Sequence, residues 1–418
     1  MEKVFATIIT IGDELLIGQV IDTNSAWIAQ ELNKMGISVK HRVAVGDVWE
    51  DIWLSLDEES RHASLIIVTG GLGPTADDIT KPLLCDYFGG KIVVDQPTLD
   101  HITMIFERAL KRPMIERNAK QAEVPDVCTV LKNEKGTAPG MLFKKNGKIF
   151  ISLPGVPHEM KWIMTNQVVP IIPDLFDTGF IEHRTLLTAG IGESFLADLV
   201  QDIEEGLPSH IKLAYLPNYG MVRMRLTAFG FDKPALEKEI EARFELFKEK
   251  VKEYLVIDED LSMELVVGRL LKQKNETLAT AESCTGGNIA RMLTSHAGAS
   301  AYYKGTVVSY DNSIKQSLLH VTAETLQTVG AVSEATVIQM AKSVREIMQT
   351  DYAIAVSGIM GPEGGTSEKP VGMVWVAVAN KDRVQTKLFN FRFDRARNID
   401  LTSINALNLL RIFIIENR

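Results

Sequence analysis

The sequence predicts three consecutive domains: an N-terminal α/β domain over 1–172, a small α+β module over 173–257, and a C-terminal α/β domain over 258–418. Three observations carry this expectation. The first third alternates short apolar runs with amphipathic helical periods, the βαβαβ rhythm of a doubly wound parallel sheet. Past residue 174 the texture changes to alternating strands and one long charged helix. After the acidic stretch Ile257-Asp258-Glu259-Asp260 the strand–helix rhythm resumes and closes on an apolar helix. A chain of 418 residues also exceeds one ordinary core.

In the first segment, strands are expected at 4–10, 39–44, 65–69 and 149–153, with helices at 24–35 and 51–61. In the middle module, strands are expected at 184–188, 211–215 and 221–229, with helices at 193–205 and 233–254. Along the last strand, Val222, Met224, Leu226 and Ala228 face one way and Arg223, Arg225 and Thr227 the other. The final segment reads as helices at 263–274, 333–350 and 401–416 and strands at 277–281, 305–310, 352–357 and 371–379.

Composition narrows the function classes. Net charge is −9 and hydrophobic residues make up 45%, a globular profile and a poor general binder of nucleic acid or anionic membrane. Cys85, Cys128 and Cys284 are distant and odd in number, which gives no disulfide framework and no zinc spacing. With no apolar span and no signal-peptide pattern, a cytoplasmic protein is expected.

Three loops at expected strand ends of the last domain carry chemistry. Glu282-Ser283-Cys284-Thr285-Gly286-Gly287 lies between a strand and a helix. Its glycines let backbone approach a ligand, and the following helix N-terminus can stabilise an anion. Tyr310-Asp311-Asn312-Ser313-Ile314-Lys315 places Lys315 about one turn into a helix. Ser357-Gly358-Ile359-Met360-Gly361-Pro362-Glu363-Gly364-Gly365 is the third. Ligands gather where such loops meet at the carboxyl ends of strands in an open α/β sheet. Taken singly, Ser283 reads as a helix cap, Cys284 as a small core residue and Lys315 as a solvated helix residue. Together they suggest a hydroxyl nucleophile with a lysine base, since no histidine occurs in these loops. Cys284 stands as the rival nucleophile, because a thiolate is activated at a helix N-terminus.

These loops, with Val308-Ser309-Tyr310-Asp311-Asn312, Gly330-Ala331-Val332-Ser333-Glu334 and Lys369-Pro370-Val371-Gly372, resemble the C-terminal domain of the CinA family. The resemblance implies an amidase that hydrolyses nicotinamide mononucleotide to nicotinic acid mononucleotide and ammonia, without a cofactor. It implies Ser283 as nucleophile, Lys315 as base, and Tyr310 and Thr285 as assistants. Amides following Ser283 would form an oxyanion hole. Glu282, Gly286, Gly287, Gly358 and Gly361 would bind substrate, and Arg395, with Arg397, its phosphate. Met360 departs from the small residue usual at its place.

In the first domain, Gly70-Gly71-Leu72-Gly73-Pro74-Thr75-Ala76-Asp77-Asp78 follows a strand and opens a helix. Its amides can cradle a phosphate, and paired carboxylates beside a phosphate suit a divalent cation. The same carboxylates can equally cap the helix. Gly12-Asp13-Glu14 could add a carboxylate from a neighbouring loop. With Asp22-Thr23-Asn24, Gly136-Thr137-Ala138-Pro139-Gly140 and Pro154-Gly155-Val156-Pro157, the run resembles CinA proteins and, through them, a molybdopterin-binding fold. The resemblance implies hydrolysis of ADP-ribose to AMP and ribose 5-phosphate with Mg, Mn or Co. Asp78, Asp77, Glu14 and Asp47 are the metal candidates, and Gly70, Gly71, Gly73, Thr75 and Lys81 the substrate contacts. It also implies a homodimer.

Two other functions are open to this sequence. One is a molybdopterin-handling or nucleotidyl-transfer module. The other is a non-enzymatic scaffold linked to competence or DNA damage, against which the acidic balance argues. Arg223 and Arg225 are the one pair of basic strand residues that would suit a nucleic acid.

Overall fold

The computed structural model describes residues 3–75, 78–109, 111 and 113–416. The chain divides into two compact units, 1–182 with 227–240, and 183–226 with 241–418. The first contains a six-stranded sheet in the order Ser38–Val45, Phe5–Ile11, Leu65–Thr69, Lys148–Leu153, Gly140–Lys145, Thr129–Leu131. The first four strands are parallel, as the sequence rhythm predicts. Gly140–Lys145 pairs antiparallel with both of its neighbours, so the sheet is mixed rather than purely parallel. The turn at Asn146 and Gly147, both with φ near +50° to +75°, folds Gly140–Lys145 directly against Lys148–Leu153. A tight hairpin needs no crossover helix, and so leaves no βαβ signal.

Strand residues alternate between two cores. Ala6, Ile8 and Ile67 pack with Ile28, Leu32 and Met160 on one face. Ile9, Ile66 and Val68 pack with Ile52, Leu56 and Leu83 on the other. The helices Thr23–Lys34 and Trp49–His62 thus lie on opposite sides, the doubly wound arrangement.

The four strands of the middle module run Ile211–Asn218, Met221–Gly230, Phe180–Ala189, Leu255–Ile257, with helices Glu193–Glu205 and Lys233–Lys250. Val222, Met224, Leu226 and Ala228 are all buried, as their alternation predicts. The long helix ends at Lys250 rather than 254, where the chain turns through Val251 to Tyr254.

The last sheet runs Tyr303–Val308, Leu278–Glu282, Tyr352–Gly358, Met373–Ala379, Val384–Asn390. The first three strands pair in parallel, and Met373–Ala379 pairs antiparallel with both of its neighbours. One face is large and branched: Ile354, Val356, Val374 and Val376 meet Leu407, Leu410 and Phe413. The other is built from Ala279, Ala281, Ala353, Ala355 and Ala377, against Val337, Met340 and Val344 of helix Glu334–Met348. The small side chains let that helix lie close to the sheet, since native packing tolerates no gap there.

The terminal helix, Arg395–Glu416, is long and apolar enough to span a membrane, but 61% of its apolar window is buried. It begins six residues earlier than its apolar pattern suggests, because Asp394 accepts from the Arg397 amide and caps a polar first turn. Leu407 is fully buried at its centre. Truncation by Leu407→Ala should cost about 2–5 kcal/mol, read as a lower denaturation midpoint of the unit containing residues 241–418. A cost below about 1 kcal/mol would show that this helix is not part of the core.

Candidate functional site

The three parallel strands of the last sheet deliver their loops to one end. Ser283 follows Leu278–Glu282, Tyr310 follows Tyr303–Val308, and the Gly358 to Gly361 turn closes Tyr352–Gly358. These loops surround a cavity of about 280 Å³ lined by Ser283, Cys284, Tyr310, Lys315, Gly358, Gly361 and Arg395, among others. Residues separated by over one hundred positions are thereby brought to one opening.

Glu282 shapes the loop. Its carboxylate is fully buried. It accepts from Thr285 Oγ1 at 2.7 Å, from the amides of Gly287 at 3.1 Å, Ile289 at 3.0 Å and Ala290 at 2.9 Å, and from Thr280 Oγ1 at 3.3 Å. Two expectations change as a result. Glu282 lies outside the cavity lining and acts as an internal cap, not a substrate contact. The N-terminus of helix Asn288–Thr294, expected to meet a ligand anion, is already occupied by this carboxylate. Thr285 is buried with its hydroxyl committed to Glu282, so it positions the loop and does not assist at the reacting atoms. Gly286 and Gly287, with φ of 61° and 98°, make the turn and also lie outside the lining.

Loop amides for an oxyanion can be narrowed. The Ser283 amide donates to Val356 O at 3.1 Å, that of Gly286 to Ser283 O at 3.2 Å, and that of Gly287 to Glu282. The amides of Cys284 and Thr285 donate to no described residue.

Lys315 sits in helix Asn312–Ser317, capped by Asp311, which accepts from the Ser313 amide at 2.8 Å. Its side chain is 1% exposed, and Nζ donates to Ser309 O at 2.7 Å. Burial pushes its pKa down, against the opposing pull of Cys284 and Asp311. Neutral amine is therefore more accessible here than on a surface lysine. Ser283 Oγ, nearly buried, makes no hydrogen bond to a described residue. Cys284 is different. Its thiol packs in the core beside Ile289 and Met360, and burial pushes its pKa up to about 12. The rival thiolate is thus strongly disfavoured at neutral pH. Met360 is 3% exposed and packs in the same core.

Arg395 spans the cavity mouth, donating to Gly361 O at 2.9 Å and to Tyr310 Oη at 2.8 Å. Both acceptors are neutral, and it has no ion pair among the described residues. Its charge is left for an anion. Arg397, expected beside it, instead stacks on Phe393 at 4.0 Å and does not line the cavity. Sequence reasoning missed Asn398, fully buried, which donates to Met360 O at 3.1 Å and Phe393 O at 2.9 Å. It lies before the apolar run read as the last helix, which also carries Asn405 and Asn408, so no local pattern singles it out; only its burial, which demands partners, does.

In the N-terminal unit, Gly70 has φ of 116°, and a Cβ there would lie 2.2 Å from Ile11 O. Gly71, with φ of 64°, packs on Thr80. Gly73 lines a cavity of about 350 Å³ with Pro74, Thr137, Gly155 and Glu159. Lys81 lies outside this lining; burial pushes its pKa down to about 8, and Nζ donates to Gln121 O at 3.0 Å. The metal candidates do not fit a preformed site. Asp78 accepts from the Gly73 amide and the Thr75 amide, both at 2.8 Å, and from the Thr75 hydroxyl. Asp47 accepts from the Asp13 amide at 3.1 Å. Glu14 is exposed and folds toward Gly12. Asp77 lies outside the described residues. Among the described residues no three His, Cys, Asp or Glu side chains converge as a metal would require.

Two outcomes follow for the C-terminal loop. Glu282→Gln replaces one accepting oxygen by a donor facing backbone N–H groups, and should lower stability by about 1–3 kcal/mol, read by denaturant titration. Cys284 should resist iodoacetamide at pH 8 in the folded protein and react once unfolded; alkylation of native Cys284 at a surface-thiol rate would contradict its burial.

The comparisons with known proteins now bear on this geometry. Residues 260–414 match the CinA C-terminal domain, 7–174 the probable molybdopterin binding domain, and 183–256 the damage-inducible protein CinA KH domain. A CinA-like protein of Cytophaga hutchinsonii is 46% identical over 98% of this chain and 97% of its own length. A CinA-like protein of Flavobacterium psychrophilum is 43% identical, covering 99% of each. A putative competence-damage inducible protein of Acetivibrio thermocellus is 38% identical over 98% of this chain and 99% of its own length. Among solved structures, a competence-damaged protein (CinA) superfamily protein from Klebsiella pneumoniae is 36% identical, covering 37% of this chain and 96% of its own, with a TM-score of 0.36. Matched along nearly its whole length by such relatives, the chain belongs to the CinA family.

Proposed function

We propose that the C-terminal cavity hydrolyses the carboxamide of nicotinamide mononucleotide, giving nicotinic acid mononucleotide and ammonia. The observation that carries this reading is the meeting of Ser283, a buried lysine and an unpaired arginine around one opening. Ser283 Oγ attacks the carboxamide carbon while its proton passes to neutral Lys315 Nζ. The oxyanion so formed is met by the amides of Cys284 and Thr285. The C–N bond then breaks, and the proton moves from Lys315 to the departing nitrogen, which leaves as ammonia. Water attacks the resulting ester and gives a proton to Lys315; the C–Oγ bond then breaks, Lys315 returns that proton to Ser283 Oγ, and the acid product leaves, losing its own proton to solvent as the carboxylate. Arg395 pairs with the nucleotide phosphate and, through Tyr310, ties the loop carrying that residue to the site.

The Gly70–Thr75 loop supports a second activity for this chain, cleavage of ADP-ribose to AMP and ribose 5-phosphate. Its glycines let backbone approach a phosphate, and the cavity beside Gly73 is open to a ligand. The described carboxylates do not converge, so no metal-dependent step is assigned. Nucleotide release from ADP-ribose, measured with and without added Mg²⁺, Mn²⁺ or Co²⁺, distinguishes this activity from simple pterin binding at the same loop.

Ammonia release from nicotinamide mononucleotide tests the first reading. Ser283→Ala should reduce kcat at least about 10³-fold. Arg395→Ala should act chiefly on KM. In the wild type, kcat should rise with pH through the lowered pKa of Lys315, because the base works only when neutral, and fall away as pH drops below it. Lys315→Arg keeps the charge but cannot deprotonate, and should remove that pH limb with a loss of roughly 10²–10⁴-fold. Full activity in Ser283→Ala would end the assignment.

A further inference from the structure

We propose that the chain holds a second binding site, for a small organic carboxylate, in a separate cavity of about 330 Å³. It lies wholly inside the unit of residues 183–226 and 241–418 and shares no lining residue with the Ser283 cavity. Its apolar side is formed by Met221, Met263, Met292 and Ile404. Met221 and Met263 are 7% and 1% exposed, held in the core that also contains Leu407. Thioether side chains adapt to flat or irregular ligands.

The carboxylates on the polar side, Glu264 and Asp400, are already engaged. Glu264 faces His296 Nε2 at 3.1 Å. Arg223 Nε lies 3.0 Å from Asp260 as an ion pair without hydrogen-bond alignment, and its Nη2 donates to Leu261 O at 3.3 Å. Asp400 accepts from Asn288 Nδ2 at 3.2 Å. Two donors are left over. Arg291, an exposed side chain of the lining, has no ion pair among the described residues and gives only Nε, to Asn288 Oδ1 at 3.0 Å. Ser262 Oγ is buried with no hydrogen-bond partner among the described residues. A buried hydroxyl left unpaired is costly, and a guanidinium with free terminal nitrogens matches a carboxylate in two-pronged geometry. The ligand this lining fits has a carboxylate head and an apolar body.

The cavity wall is tied to the nucleophile loop. Arg291 and Asp400 both hold the side chain of Asn288. Asn288 opens the helix whose next two amides, of Ile289 and Ala290, donate to Glu282. Occupancy at Arg291 therefore bears on the residues that shape the Ser283 loop.

The test uses the full chain labelled with ¹³C-methyl methionine, titrated with benzoate and with its neutral isostere benzamide. Binding is the readout, so the result does not depend on the amidase reading. Benzoate should give saturable shifts of the Met263 and Met292 methyls, and benzamide none. The shifts should vanish in Arg291→Ala and weaken in Ser262→Ala. Hydrogen exchange at the Ile289 and Ala290 amides should slow with benzoate bound. No saturable shift, equal shifts with benzamide, or shifts unchanged in both variants would overturn the site. Methyl shifts without slower exchange would overturn its link to the loop.

Discussion

The C-terminal site depends on one buried carboxylate. Glu282 is removed from water and satisfied from within by three amides and two hydroxyls. A charge buried in this way is tolerated only when its lone pairs are filled. That requirement fixes the turn through Gly286 and Gly287, the direction of helix Asn288–Thr294, and hence where Ser283 points. The same carboxylate uses up the helix N-terminus, while the amides of Cys284 and Thr285 donate to no described residue.

The sheet around it supplies the second constraint. Parallel strands bring three loops to one edge, while an alanine-lined face and a branched face hold helices Glu334–Met348 and Arg395–Glu416 against it. The second helix also carries Arg395 at its start and Asn398 one turn later, so core packing and placement of the cation share one element. Burial then differentiates two neighbours. It makes neutral Lys315 more accessible and disfavours the Cys284 thiolate, so burial acts in opposite senses on the two groups.

Much of this was legible in the sequence, for identifiable reasons. Strand ends and loop glycines are local signals, so the three loops and their common edge could be read from apolar periodicity. Partner assignments are not local. Glu282 and Thr285 look like site residues beside Ser283, and only the fold shows them turned inward onto one another. Arg397 looks equivalent to Arg395, yet successive helix positions face different directions, and it meets Phe393 instead. Asp78 and Asp47 look like metal ligands until their amide partners are seen; Asp78 accepts from the Gly73 and Thr75 amides of its own loop and Asp47 from the Asp13 amide, and neither caps the helix that follows Asp78. The antiparallel hairpin of the first sheet was hidden because short hairpins carry no helical period.

The most direct test of the central claim is peptide mapping of the full chain quenched during turnover of nicotinamide mononucleotide. An acyl ester is expected on the peptide containing Ser283, at its hydroxyl, absent in Ser283→Ala and accumulating with release of ammonia. An adduct on Cys284, or ammonia release at an unchanged rate without any adduct in Ser283→Ala, would contradict it.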